Sequence, residues 1–213
     1  INARLRSETL PALVAAHPGL SWSFQGDQKK QRDLLTSLGG GFAIALFLIY
    51  ALMAVPLRSF LQPLVIMTAV PFGIVGAIVG HMLTGYDLSI LSLFGVVALA
   101  GVVVNDNIVL VDWVNSRRAH HDSLFEAVRT AGAARLRPIL LTSLTTFGGL
   151  LPLLLEKSVQ ARFLVPMAVA LGFGVMFATL ISLFLVPALY LVLEDARGGL
   201  ARAWNWTYGR RAS

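Results

Sequence analysis

Residues Leu88–Asn115 read LSILSLFGVVALAGVVVNDNIVLVDWVN. Eighteen uncharged residues, from Leu88 through Asn105, precede Asp106, so a carboxylate sits well inside an apolar run. A charged side chain at bilayer depth costs about 2.5–3.5 kcal/mol on insertion scales. A chain that keeps such a residue is expected either to pair it or to use its protonation. The stretch itself exceeds the roughly twenty residues needed to cross a hydrocarbon core.

The same pattern recurs on both sides of it. Apolar blocks at about 34–57, 60–83, 138–155 and 163–193 join the one at 88–115 to predict five transmembrane helices within a membrane domain, 34–193. The composition agrees: 56% of the 213 residues are hydrophobic and 13% charged, against about 25% charged in soluble domains. The mean hydropathy is +0.74. With no cysteine, disulfides, thiol catalysis and cysteine-based zinc sites are excluded. The net charge of +6 would point to nucleic acid in a soluble protein. Here the arginines stand between apolar spans, so no nucleic-acid partner is expected, and the lipid bilayer is the surface the charge addresses.

Residues 1–33 have a different character. Leu5, Leu10, Leu13 and Val14 recur at roughly helical spacing, Pro18-Gly19 ends that pattern, and Leu20–Phe24 alternates like a half-buried strand. The expectation is a short α/β end of a water-exposed domain. The chain starts at Ile1 without a signal-peptide pattern and is expected to be part of a longer protein. Gly39-Gly40-Gly41 at the first span reads equally as a flexible coupling and as a site of close helix packing.

Between the third and fourth spans, Ser123-Leu124-Phe125-Glu126 fits a capping box. The apolar stripe Leu124, Phe125, Val128 and Ala131 predicts an amphipathic helix at about 123–132, lying at the interface and ended by Gly132. Pro138 then suits the first turn of the fourth span. Arg58, five arginines in the loop after span three and four in the tail 194–213 fall on one side of five crossings. By the positive-inside rule the tail and the amphipathic helix are cytoplasmic, and residues 1–33 lie outside. His81, near the outer end of span two, is able to relay protons but is expected as a solvated polar tip.

Asp106 is flanked by Asn105 and Asn107, whose amides are able to donate to the carboxylate. Desolvation favours the neutral form of a carboxyl group, which suits a proton cycle; a static inter-helix contact is the competing role. In the fourth span, Thr142, Thr145 and Thr146 share one helix face. Their hydroxyls are suited to proton relay, although bonding back to the carbonyl four residues earlier is commoner. Arg135 stands one to two turns before Thr142, free in principle to reach towards Asp106 through water or to anchor to lipid phosphate. Asp112, beside Trp113, belongs at the interface.

The run GVVVNDNIVLVDWVN, the intervening amphipathic segment, RLRPILLTSLTTFGGLLPLLLE and VPMAVALGFGVMFATLISLFLVPALYLVL together resemble the C-terminal membrane part of the resistance-nodulation-division (RND) efflux permeases. Upstream, SWSFQGDQKKQRDLL resembles the end of that family's periplasmic porter domain. The resemblance implies an all-α membrane protein whose five helices are the eighth to twelfth of the family. It implies a proton-driven exporter of amphiphilic compounds in the bacterial inner membrane, with no cofactor beyond protons as coupling ion. It implies a homotrimer joined to a periplasmic adaptor and an outer-membrane channel. On it, Thr142 matches the family's relay threonine and Arg135 an arginine at the water entrance, so the expected relay comprises Asp106, Asn105, Thr142, Asn107 and Arg135. The chain departs from the best-known drug pumps, which have lysine at the position of Asn105 and asparagine at that of Asp106. An acid added next to the family's other carboxylates, which lie outside this sequence, would titrate with them as a coupled set. Two other classes remain as alternatives. One is a non-transporting assembly subunit with Asp106 as a helix contact. The other is an intramembrane enzyme, for which no metal-ligand or nucleophile motif is found.

Overall fold

The computed structural model describes residues 10, 13–14, 27–117 and 123–208. Among them no strand occurs, and five helical segments are long and apolar enough to cross a membrane. The expected strand Leu20–Phe24 lies outside the described residues. Leu10, Leu13 and Val14, singled out by their spacing, are helical. The chain divides into two compact units, Ile1–Gly41 and Phe42–Ser213.

Helix α1, Asp27–Leu57, begins in the first unit and ends in the second. It runs through Gly39, Gly40 and Gly41 without a break, and a Cβ added at any of the three would meet nothing within 4 Å. Arg58 closes the helix with a left-handed φ of 48°. The second span is two pieces, α2 (Gln62–Met67) and α3 (Ala69–Thr84), joined at Thr68. Pro63 sits in the first turn of α2, where its missing N–H costs nothing. Gly85, at φ 73°, ends α3 in the left-handed conformation that glycine adopts without strain.

Helix α4, Ile90–Arg117, is the quoted stretch. Helix α5, Leu124–Leu155, follows, then a single 3-10 turn, Ala161–Phe163, and α6, Val165–Tyr208. The serine cap of α5 is present: the Ser123 hydroxyl accepts from the Glu126 N–H at 3.2 Å. The amphipathic segment is not a separate helix, however. Gly132 does not end it and Pro138 does not start the next element; both lie inside one 32-residue helix. The reason is local. Ala131, Ala133, Ala134, Arg135 and Leu136 are strong helix formers, and one glycine costs only about 1 kcal/mol against them.

Helix α6 is the hub of the second unit, packing along α3, α4 and α5. The packing is close because glycines replace side chains at the crossings. A Cβ added at Gly76 would lie 2.4 Å from Phe177, and at Gly80 2.5 Å from Phe173. On α4, a Cβ at Gly95 would lie 2.4 Å from the Met167 carbonyl oxygen. Within a bilayer, where lipid is as apolar as leucine, such close approach is what holds helices together. The core runs from Met53 and Leu57 of α1 through Ile66, Val104, Leu110 and Val111 to Val186 and Tyr190.

Candidate functional site

Asp106 is 8% exposed and Asn107 1% exposed, both inside the helix cluster. The helix rotates about 100° per residue, so Gly95, Leu99 and Asp106 fall within about 40° of one another on α4. Gly95 meets the Met167 carbonyl and Ala170 of α6, and Leu99 meets Gly174 of α6 and Gly73 of α3. Asp106 thus lies on the face that α4 turns to its neighbours. Its Oδ2 is buried without a hydrogen-bond partner, and so is the Asn107 Nδ2. The expected donation from Asn107 to the carboxylate is therefore not made. Successive helix positions fan apart, so side chains at i and i+1 do not face each other. Asn105, on the other side of the acid, is exposed.

The hydroxyls of α5 behave in two ways. Thr142 is exposed and donates to the Pro138 carbonyl at 3.0 Å; Thr145 and Thr146 likewise donate to their own helix, at Leu141 and Thr142. Ser143, off the face that the three threonines share, is 1% exposed and lies 2.7 Å from the Thr179 hydroxyl of α6. Ser182 adds a third buried hydroxyl, donating to the Thr179 carbonyl at 3.2 Å. Polar residues inside the apolar run of α6 were the available sign of this layer. Arg135 is half-buried with its Nε unpartnered, whereas Arg137 is exposed. The structure thus buries Asp106 and Asn107 and leaves Asn105 and Thr142 facing outward.

Two further polar clusters flank this layer along α4. His81 is 4% exposed and is not a solvated tip. Its Nδ1 lies 2.8 Å from the Ala77 carbonyl, and its Nε2 lies 2.8 Å from the Ser92 hydroxyl. A carbonyl only accepts, so Nδ1 carries a proton. Near the other end, Asn115 and Gln62 exchange two amide hydrogen bonds of 2.8 and 3.1 Å, and the Tyr190 hydroxyl donates to Asn115 Oδ1 at 2.7 Å. Arg197 donates to Ser59 and pairs with Glu194 at 2.9 Å. Asp112 is exposed, and the Arg117 guanidinium stacks 5.0 Å over Trp113.

Comparison with known proteins places this architecture. The family model described as the AcrB/AcrD/AcrF family matches residues 6–194. The chain is 34% identical over 166 residues to the swarming motility protein SwrC of Bacillus subtilis (strain 168), covering 78% of this chain and 16% of that protein. It is 29% identical over 195 residues to the multidrug resistance protein MdtC of Edwardsiella ictaluri (strain 93-146), covering 91% of this chain and 18% of that protein. The chain therefore spans less than a fifth of the length of either relative. A crystal structure of a heavy metal efflux pump matches with a TM-score of 0.72 at 27% identity, over 91% of this chain and 20% of the pump; a second crystal form gives 0.71. With five apolar helices in this order and a family match over nearly their whole length, the chain belongs to the AcrB/AcrD/AcrF family, the RND efflux permeases.

Proposed function

We propose that this chain is part of a secondary transporter that uses the proton-motive force to export amphiphilic compounds, with Asp106 as its proton-carrying group. The observation that carries the reading is the buried Asp106 Oδ2, which has no hydrogen-bond partner in the middle of an apolar helix. A carboxylate kept only to hold helices together would have its oxygens paired, because an unpaired buried charge is strongly destabilising. Protonation removes that cost, so binding and losing a proton changes the energy of this layer. Asn107, next to the acid, has its own unpaired amide, and Arg135, further along α5, has an unpaired Nε. Thr142 and Asn105, both exposed among the described residues, complete the proposed relay.

The family and the multidrug resistance relative support an organic, amphiphilic cargo; the heavy metal pump supports efflux more generally. The protein is then a carrier and not an enzyme, with protons as the coupling ion and no other cofactor. It resides in the bacterial inner membrane, with residues 1–33 periplasmic and the tail cytoplasmic, and works as a homotrimer with a periplasmic adaptor and an outer-membrane channel.

The test is efflux of a lipophilic cationic dye by the full-length protein, with wild type and Asp106→Asn at matched membrane levels. Export by the variant is expected to fall to background. Export at the wild-type rate would remove Asp106 from the mechanism.

A further inference from the structure

The buried polar residues along α4 form three tiers. At one end Ser92 bonds both His81 and Ser89, and at the other Asn115 bonds both Gln62 and Tyr190. These two tiers tie α4 to α2, α3 and α6. The middle tier holds Asp106 and Asn107. Two contacts fix what lies level with it on α6. Leu99 meets Gly174 and Asn115 meets Tyr190, both pairs 75 residues apart. The two helices therefore run parallel and in step, which sets Ser182 at the level of Asn107. Thr179, three residues earlier, is about 4.5 Å away along the axis. Ser143 of α5, bonded to Thr179, shares that depth.

We infer that the Ser143–Thr179 hydroxyl pair is a positioning element of the Asp106 site, holding α5 against α6 at the depth where the acid works. The inference rests on the proton-coupled reading above. The pair has a defined direction. Ser143 Oγ has one proton and lies 3.1 Å from the Ile139 carbonyl, which only accepts. With that proton used, Thr179 is the donor to Ser143. Both hydroxyl protons are then satisfied, and each helix is fixed relative to the other. Thr142, Thr145 and Thr146 make no comparable link, since their hydroxyls bond back to α5 itself. Elsewhere α5 meets α6 through apolar contacts, such as the edge-on Phe147–Phe173 pair at 5.4 Å and the crossing at Gly172. These leave rotation of α5 about its own axis less restrained than a directed hydrogen bond does. Arg135, on the same helix, would turn with it.

The experiment uses the full-length protein in proteoliposomes, with dye export followed as a function of pH. The variants are Ser143→Ala, Thr179→Val, the two combined, Thr179→Ser and Asp106→Asn. Each single loss of a hydroxyl is expected to slow export about fivefold, the size of one typical net hydrogen bond, and to shift the pH profile. The combined variant should be no worse than either single one, because both remove the same interaction. Thr179→Ser, which keeps the hydroxyl, should restore both rate and profile. An unchanged pH profile in Ser143→Ala and Thr179→Val would overturn the inference, as would additive losses or failure of Thr179→Ser to rescue. Should Ser143→Ala fail to accumulate, the Thr179→Val and Thr179→Ser comparison decides alone. Normal export by Asp106→Asn would refute the reading of the acid and this inference with it. Loss of export there beside unaffected hydroxyl variants would overturn this inference only.

Discussion

Alanine at Gly95 and alanine at Gly101 are chemically the same change, six residues apart on α4, yet the packing predicts opposite outcomes. Each removes a glycine from a helix interior and gains about 1 kcal/mol of helix preference. At Gly101 the new methyl group meets nothing within 4 Å, so that gain stands. At Gly95 it would lie 2.4 Å from the Met167 carbonyl oxygen and 2.9 Å from the Ala170 Cβ. The oxygen is backbone inside α6 and has no rotamer to take. A carbon and a carbonyl oxygen rest about 3.3–3.6 Å apart, so α4 must retreat about 1 Å. A gap of that size forfeits roughly a quarter to a half of the dispersion energy of the contacts it opens, including Leu99 against Gly174. Overpacking of this kind costs about 1–3 kcal/mol, and the bilayer offers no hydrophobic compensation. Gly95→Ala should therefore lose up to about 2 kcal/mol net and Gly101→Ala should gain up to about 1 kcal/mol. Thermal melting of the purified full-length variants in the same detergent measures both. A Gly95→Ala protein melting at or above wild type, or a Gly101→Ala protein that is the worse of the two, would refute the packing argument.

Asn115→Ala strands the buried Gln62 amide and removes the acceptor of Tyr190, so it should cost about 1–3 kcal/mol. Tyr190→Phe removes the donor to Asn115 but leaves both Gln62–Asn115 amide bonds, and should cost about 1 kcal/mol; equal melting losses for the two would argue against the shared acceptor. At the turn after α5, the Ser158 and Lys157 N–H groups donate to Glu156 Oε1, both at 2.9 Å, and hold its pKa below the usual carboxylate range. A lowered folded pKa means the turn is fully supported above the ordinary carboxylate pKa and loses that support as pH falls through the folded value. Amide exchange at Ser158 should be protected at neutral pH and lose protection in acid, and Glu156→Gln should weaken that pH dependence.

Much of this was legible in the residues. Five apolar blocks of bilayer length gave five spans, because a backbone in lipid must satisfy its own hydrogen bonds and helices do so. Ser123 was readable as a cap and Asp106 as a buried acid. The end of the amphipathic segment was misread at Gly132, since neighbouring alanines and Arg135 outweigh one glycine. His81 was misplaced because its burial depends on Ser92, which a second helix brings against it and the sequence does not. The choice between Thr142 and Ser143 was beyond the sequence. The two differ by 100° in direction, and only the position of α6 decides which one is buried. The amides beside Asp106 were expected to serve it, but adjacency along a helix is not adjacency in space.

The unbroken course of α5 through Gly132 and Pro138 has a mechanical consequence. From Ser143 back to Leu124 the helix extends about 28 Å; it is continuous, with one backbone bond lost at Pro138, and taken as one arm it pivots near the serine. A 10° swing at the pivot would carry the far tip about 5 Å, and Arg129 most of the way with it. A small rearrangement beside the acid would thus arrive at the arm's basic end magnified, and a push on that end would return to the pivot as torque.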